Sequence, residues 1–187
     1  MIPWHDSMLE EIVLPITDPE TEWVRGRPLQ KVSPTRRHSR LQMELSFALN
    51  AWAPGRGEVG PEWRFRIAPA GEPRRPLVPD VSFVSLDRLR GHTEDELEAP
   101  AFAPNVAIEV LSPRDEPRDV ASKTDVYLRG GVELVIIVDP KSRTMTLHDG
   151  SGKLLELRTG DILRHPALPG FELDVGALFS RALDLPF

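Results

Sequence analysis

The chain has 187 residues, of which 40% are hydrophobic and 28% are charged, and its net charge at pH 7 is −6. This length fits one domain spanning residues 1–187, and the composition is typical of a globular protein rather than a disordered one. No apolar run approaches the ~18 residues of a membrane span. The absence of cysteine excludes disulfides and zinc-thiolate sites, so hard divalent metals are the expected cofactors.

The charge is distributed unevenly along the chain. Residues 1–24 carry six acids and no bases. This pattern does not resemble a signal peptide, and we predict a cytoplasmic protein with no membrane partner. Residues 25–75 carry eleven bases and four acids, whereas residues 76–187 carry twelve bases and nineteen acids. The positive segment could bind phosphates, and an arginine-rich solvated surface would explain it equally well.

The N-terminal part predicts a lead-in, a hairpin and a long helix. Residues 1–20 are interrupted by three prolines and should form an irregular lead-in. Residues 23–32 alternate around Gly26, which predicts a short hairpin. Apolar residues recur at three- and four-residue steps from Arg36 to Trp52, which predicts an amphipathic helix with Thr35 as its N-cap.

The middle of the chain predicts three strands. Residues 63–67 alternate between apolar and arginine side chains, the pattern of a strand with one buried face. Residues 68–76 are rich in proline and glycine and should be a loop. Residues 77–84 and 105–111 are short apolar runs that predict two further strands, each carrying one acid. The polar residues 85–103 between them predict a short helix and a loop.

The next segment predicts a helix, a buried strand and a hairpin. Residues 120–128 have helical spacing and precede two glycines, which predict the end of the helix. Residues 133–138 form the continuous apolar run of a strand buried on both faces. Residues 144–148 and 153–157 flank an Asp-Gly-Ser-Gly sequence at 149–152, which is a strong hairpin signal.

The tail and the order of elements complete the predicted fold. Residues 162–187 should be loop with a short helix near 175–182. The order of helix, three strands, helix, strand and hairpin predicts an α/β (α+β) fold with a central mixed sheet flanked by helices. N- and C-terminal hairpins would be additions to this core.

Asp80 and Glu109 are the acids in the two apolar strands. A buried carboxylate costs several kcal/mol unless it is paired or binds a cation. Because side chains alternate between the faces of a strand, one acid from each of two adjacent strands can meet on one face. Two such carboxylates repel each other, and Mg²⁺ or Mn²⁺ would remove the conflict. The two acids therefore predict metal ligands.

Lys123 lies on the helix that follows the Glu109 strand. Residues 112–122 are long enough to fold this helix back over the end of the strand, so the ammonium could reach the same site. There it could orient a water molecule and offset negative charge on a phosphate. A structural ion pair, or a surface lysine, is the alternative on spacing alone.

Several short runs together carry a family resemblance. They are Arg75-Pro76-Leu77-Val78-Pro79-Asp80-Val81-Ser82-Phe83-Val84, Ala103-Pro104-Asn105-Val106-Ala107-Ile108-Glu109-Val110-Leu111-Ser112-Pro113, Lys123 to Tyr127, Gly131-Val132 and Val138-Asp139-Pro140. In this combination the chain resembles the Uma family of putative restriction endonucleases, within the PD-(D/E)xK nuclease superfamily. The resemblance runs from about residue 23 to residue 179 and implies a restriction-endonuclease-like core.

The resemblance assigns roles to three residues. Asp80 and Glu109 match the two acids of the superfamily motif, both as metal ligands. The motif lysine usually lies two residues after the second acid, where this chain has Leu111. The family uses a lysine on the following helix instead, and Lys123 matches it. The family often has an acid after the glycine of its first hairpin, whereas this chain has Arg27.

His38 lies in the first turn of the long helix and matches a histidine common in the family. With Arg36, Arg37 and Arg40 it is a candidate contact to nucleic-acid phosphates. A histidine on the solvated surface of the helix is the alternative.

The predicted function is a Mg²⁺- or Mn²⁺-dependent endonuclease that hydrolyses nucleic acid, with DNA as the expected substrate. Asp80, Glu109 and Lys123 are the predicted catalytic residues. The alternative is a non-catalytic binding or assembly module that retains the nuclease fold. Self-association into a homo-oligomer is plausible through the hairpins and the sheet edge.

Overall fold

The N-terminal part contains the predicted hairpin and helix. The computed structural model describes residues 11–184. Strand β1 (Thr21–Val24) pairs antiparallel with β2 (Arg27–Gln30). Arg25 and Gly26 form the turn with φ of 50° and 75°, a left-handed conformation that glycine adopts readily. Helix α1 (Arg36–Trp52) begins at the predicted residue, and its N-cap Thr35 accepts a hydrogen bond from the backbone N–H of His38.

The lead-in is described only in part. Residues 11–20 contain neither helix nor strand. Residues 1–10, the other half of the predicted irregular segment, lie outside the described residues.

Four short strands follow α1, and they differ from the prediction. They are β3 (Gly57–Pro61), β4 (Phe65–Ile67), β5 (Arg75–Leu77) and β6 (Val81–Ser85). The single strand predicted over residues 77–84 was wrong, because β5 pairs with β4 in a separate two-stranded sheet while β6 belongs to the main sheet.

Strand β3 was not predicted, since glycine and proline are poor strand formers. It is an edge strand that pairs with β6. Gly57 lies so close to β6 that a Cβ atom would collide with the carbonyl oxygen of Val84. Glycine at position 57 made the strand hard to predict, and the same residue allows β3 to approach β6 closely.

The middle elements hold the predicted strand of Glu109 and its helix. Helices α2 (Leu86–Leu89) and α3 (Glu94–Glu98) precede β7 (Val106–Val110). Helix α4 (Pro117–Arg129) begins three residues before the predicted start and has Pro117 in its first turn, where the missing N–H costs no helical hydrogen bond. Strand β8 (Leu134–Asp139) follows as predicted.

The C-terminal elements include a hairpin that was not predicted. Strands β9 (Thr144–Asp149) and β10 (Leu154–Leu157) form the predicted hairpin. Strands β11 (Ile162–His165) and β12 (Leu168–Asp174) form a second hairpin where a loop was predicted, because Pro169 and Gly170 conceal the alternation of β12. Helix α5 (Val175–Leu183) ends the described chain near its predicted place.

Six strands form the central sheet, in the order β10-β9-β8-β7-β6-β3. Strands β7 and β8 are parallel, with α4 as the connection between them, and the other neighbouring pairs are antiparallel. The sheet is therefore mixed, as predicted. A helical crossover is the usual connection between adjacent parallel strands.

Two apolar clusters lie on opposite faces of this sheet. One contains α1 residues Leu41, Leu45 and Leu49 together with residues of α5 and β12. The other contains Val126 and Tyr127 of α4, with residues of β1, β4 and β5. Alternate residues of each central strand contribute to the two clusters, as strand geometry requires.

Within residues 11–184, no helix has both the length and the apolar character needed to cross a membrane.

Candidate active site

Asp80 lies in the bend between β5 and β6, and three groups hold its carboxylate. Oδ1 accepts a hydrogen bond from Nζ of Lys31 at 2.7 Å. Oδ2 lies 3.0 Å from Nε2 of His38 and accepts from the backbone N–H of Val110 at 2.7 Å. The side chain is only 3% exposed. These partners replace the water that a carboxylate loses when it is buried.

Side chains stabilise the break that separates β5 from β6. Pro79 has no N–H for a strand ladder. The N–H of Val78 donates to Oε1 of Glu22 at 2.7 Å, and its carbonyl oxygen accepts from Nζ of Lys31 at 2.9 Å. Backbone groups that a neighbouring strand would otherwise pair are thus bound by charged side chains, and Asp80 follows directly.

Glu109 is on β7, whose residues Ile108 and Val110 pack in the cluster beneath α1. Alternation therefore directs Glu109 to the opposite face, towards α4. Its Oε1 accepts a hydrogen bond from the hydroxyl of Tyr127 at 2.7 Å and lies 2.7 Å from Nζ of Lys123. Lys123 and Tyr127 are four residues apart and share one face of α4, so one helix supplies both partners.

Lys123 connects three elements. Besides Oε1 of Glu109, its Nζ lies 2.9 Å from Oε2 of Glu22 on β1. The side chain is 11% exposed, so the two carboxylates and the ammonium compensate one another away from most of the solvent. Asp80 joins this group at the end of β7, because it binds the N–H of the residue that follows Glu109.

Asp80, Glu109, Lys123 and His38 line one cavity of about 280 Å³. The cavity lies between the β1–β2 hairpin and the residues that lead from β7 into α4. The structure therefore brings the three predicted catalytic residues together, although one of them precedes its strand and another lies on a helix.

The surrounding charges move the pKa values of the two carboxyl groups in opposite directions. Burial raises the pKa of Asp80, but the ammonium of Lys31 and the hydrogen bond with His38 outweigh it, and the pKa ends below its usual value. Burial raises the pKa of Glu109 to about 7, against the opposing charge of Lys123. Burial lowers the pKa of Lys123, but Glu109 and Glu22 raise it above the usual value.

These carboxylates fit a divalent ion of the Mg²⁺ type. Among residues 11–184, no three His, Cys, Asp or Glu side chains are grouped so that they could hold a metal ion. Mg²⁺ commonly binds through one or two carboxylates and keeps several water molecules. Asp80 and Glu109 line the same cavity and supply two carboxylates, and Oε2 of Glu109 receives no hydrogen bond from the described residues.

The rim of the cavity carries two arginines, Arg27 and Arg114, beside three acids, Asp115, Glu116 and Asp119. Arg27 NH2 lies 3.0 Å from Oδ2 of Asp119, and Arg25 NH1 lies 3.3 Å from Oδ1 of the same residue. These pairs link the β1–β2 hairpin to α4. Arg27 thus stands where the family often has an acid, and it pairs with Asp119 of α4.

His38 is buried rather than placed on the solvated helix surface. It continues the stripe of Leu41, Leu45 and Leu49 by one turn, and this stripe faces the sheet. Its Nε2 contacts Asp80, whereas its buried Nδ1 has no hydrogen-bond partner among residues 11–184. The stripe was a sequence signal that favoured burial.

The three predicted arginines lie outside this cavity. Arg36 and Arg37 are exposed in the first turn of α1. Arg40 donates a hydrogen bond from NH2 to the carbonyl oxygen of Arg181 on α5 at 2.8 Å. Only His38 of this group lines the cavity.

Three polar residues of the site were not predicted, namely Glu22, Lys31 and Tyr127. Glu22 lies on β1 and Lys31 directly follows β2, in a hairpin whose sequence resembles a surface turn, so no periodicity identified them. Tyr127 is four residues after Lys123 and is the only tyrosine in the chain. Helical spacing could have indicated that both side chains face one site.

Comparisons with known proteins agree with this architecture. The Uma2 family, described as "Putative restriction endonuclease", matches residues 10–176. A crystal structure of a putative nuclease belonging to DUF820 from Anabaena variabilis ATCC 29413 is similar, with 26% identity and a TM-score of 0.81. The similarity covers 91% of this chain and 95% of that chain. No curated protein matches the chain.

Proposed function

The chain belongs to the Uma2 family of putative restriction endonucleases, and from this premise we propose that it is a divalent-metal-dependent endonuclease acting on DNA. The family is described as one of putative restriction endonucleases, and a nuclease acts on nucleic acid. The observation that supports metal-dependent cleavage is that Asp80, Glu109 and Lys123 line one cavity. Three elements distant in sequence contribute them.

Asp80 and Glu109 would hold Mg²⁺ or Mn²⁺. When bound, such an ion stabilises negative charge on phosphate oxygens and acidifies water. Asp80 suits a ligand role because its pKa is held below the usual value, which keeps the carboxylate ionised. Glu109 has a pKa of about 7, so a cation would compete with a proton for it. Glu109 is on β7, and Asp80 is held beside the end of that strand by the N–H of Val110.

Lys123 would bind the phosphate that reacts. Hydrolysis forms a bond between a water oxygen and phosphorus and breaks the bond from phosphorus to the leaving sugar oxygen, which takes up a proton. Negative charge increases on the phosphate oxygens in the transition state, and a fixed ammonium stabilises it. Glu109 and Glu22 fix Nζ of Lys123 at 2.7 and 2.9 Å.

The arginines would position the DNA backbone. Arg27 and Arg114 line the cavity, and Arg36 and Arg37 are exposed at the start of α1. Contacts of this kind bind phosphates without reading sequence. They belong to the segment of residues 25–75, which carries eleven bases against four acids, apart from Arg114.

The test compares wild-type protein with Glu109→Gln and with Glu58→Gln as the control. Glutamine retains a hydrogen-bond acceptor for Tyr127 and Lys123 but removes the charge of Glu109. Glu58 is an exposed residue of β3, away from the cavity. Each protein is titrated with Mn²⁺ by calorimetry and then incubated with supercoiled plasmid and Mn²⁺.

We expect wild type and Glu58→Gln to bind Mn²⁺ and nick the plasmid, and Glu109→Gln to do neither. If wild type binds no metal and leaves the plasmid intact, the metal-dependent nuclease is wrong. Metal binding by wild type without nicking of the plasmid would instead favour a non-catalytic module that has kept the fold.

A further inference from the structure

Lys31 is a second buried lysine in the same cavity. Its Nζ lies 2.7 Å from Oδ1 of Asp80 and 2.7 Å from Oε2 of Glu62, and it donates to the carbonyl oxygen of Val78 at 2.9 Å. The side chain is 12% exposed. An ammonium has three N–H donors, so these three acceptors satisfy all of them.

This ammonium occupies the oxygen of Asp80 that a metal ion would need. The other oxygen, Oδ2, is already held by the N–H of Val110 and by His38. A magnesium ligand oxygen lies about 2.0–2.1 Å from the ion. With the ammonium nitrogen 2.7 Å from Oδ1, an ion bound to the same oxygen would lie within about 5 Å of that nitrogen, and the two cations would repel each other. The ammonium and the ion therefore compete for Oδ1.

We propose that Lys31 is a positioning residue that holds Oδ1 of Asp80 while no divalent ion is bound and competes with that ion for the oxygen. This inference rests on the proposed function, because it concerns the metal site of the proposed nuclease. Lys31 acts through Asp80 and has no assigned contact with substrate.

Two features of the site allow the exchange. Asp80 keeps its orientation without Lys31, since Val110 and His38 bind Oδ2. Lys31 keeps a partner without Asp80, since Glu62 lies at 2.7 Å and its side chain is 43% exposed. The ammonium can therefore move towards the solvent-exposed carboxylate of Glu62 and remain neutralised.

The experiment measures Mn²⁺ affinity by calorimetry in wild type and four variants. Lys31→Met removes the charge and keeps much of the side-chain length, and Lys31→Gln keeps a donor for Asp80 if the methionine variant folds poorly. Lys31→Arg retains the charge. Lys141→Met is the matched control, because Lys141 is exposed in the turn after β8.

We expect Lys31→Met and Lys31→Gln to bind Mn²⁺ at least about tenfold more tightly than wild type, because a competing charge has been removed. Lys31→Arg and Lys141→Met should bind like wild type. Melting temperatures measured with and without Mn²⁺ give a second readout. Lys31→Met should gain more from the metal than wild type gains, whereas the loss of a purely structural contact would lower both values equally.

The outcomes separate this inference from the proposed function. If wild type binds Mn²⁺ and Lys31→Met and Lys31→Gln bind it equally or more weakly, Lys31 does not compete with the ion. The proposed metal site would be unaffected by this result. Tighter binding by Lys31→Arg would show that charge is not the cause and would also overturn the competition. Absence of Mn²⁺ binding in every protein would reject both the metal site and the competition.

Discussion

The two faces of β7 differ in what they bury. Val106, Ile108 and Val110 belong to the apolar cluster that also contains residues of α1 and α5. On the other face, Glu109 meets Lys123 and a tyrosine hydroxyl. A single strand thus carries both a conventional core and a buried charged site.

The two sets of side chains on β7 are expected to contribute differently to the stability of the fold and to the proposed reaction. Removing apolar surface from water is the main favourable term in folding, and the apolar side chains between α1 and the sheet supply a large part of it. Burying ion pairs is at best a weak contribution to stability, because desolvation opposes the attraction between the charges. The charged groups therefore contribute less to stability than the apolar cluster does, and they are the groups to which the proposed function assigns the reaction.

The largest effect should follow from removal of the central cation. In Lys123→Met, the buried carboxylates of Glu22 and Glu109 lose the ammonium that pairs with both. We expect a loss of about 3–5 kcal/mol in the free energy of unfolding, together with loss of plasmid nicking. Urea denaturation measures the first quantity. Lys153→Met, at an exposed position just before β10, should change neither quantity. A similar effect of both variants would contradict the pairing.

A nearly comparable loss of stability should occur on the apolar face, without loss of metal binding. Ile108 is 1% exposed in the α1 cluster, so Ile108→Ala leaves a cavity and should cost about 3 kcal/mol in the free energy of unfolding. Urea denaturation and Mn²⁺ calorimetry on the folded variant test the separation. The matched control is Leu154→Ala on β10, where the side chain is 62% exposed and the expected change is below about 0.5 kcal/mol. A large change in Mn²⁺ affinity for Ile108→Ala would show that the two faces are coupled.

A smaller effect is expected for the tyrosine. Tyr127→Phe removes one hydrogen bond to Oε1 of Glu109, while Lys123 continues to bind that oxygen. We expect a loss of about 1 kcal/mol in the free energy of unfolding. Urea denaturation gives the value, and plasmid nicking should persist at a reduced rate. An inactive but fully stable variant would indicate that the hydroxyl takes part in the reaction itself.

The smallest effect on stability is expected at the rim. Arg27 is 47% exposed and shares Asp119 with Arg25, so Arg27→Ala should change the free energy of unfolding by less than about 0.5 kcal/mol. If Arg27 binds DNA phosphate, the slope of log affinity against log salt should decrease by about 1. Fluorescence anisotropy of a labelled duplex measures the slope, with Arg164→Ala as a control far along the chain. An unchanged slope would remove Arg27 from the DNA contacts.

Local sequence patterns predicted the elements that depend on period and capping. Helix α1 and its N-cap Thr35, the β9–β10 hairpin and strand β7 were all confirmed, because their signals lie within one element. Strand β3 and the β11–β12 hairpin were missed. Both contain glycine and proline, and their pairing depends on neighbours that no local pattern reveals.

The sequence by itself determined that two acids stand beside buried apolar strands and that a lysine follows one of them. Such residues are costly to bury, so their presence in apolar runs was informative without any structure. Only the tertiary structure decided their partners. Glu22 on β1 and Lys31 after β2 are far from Asp80 and Glu109 in sequence, and they reach the site because β1 packs against β5 and α4. Contacts between distant segments follow from how the elements pack, and local patterns contain no record of that packing.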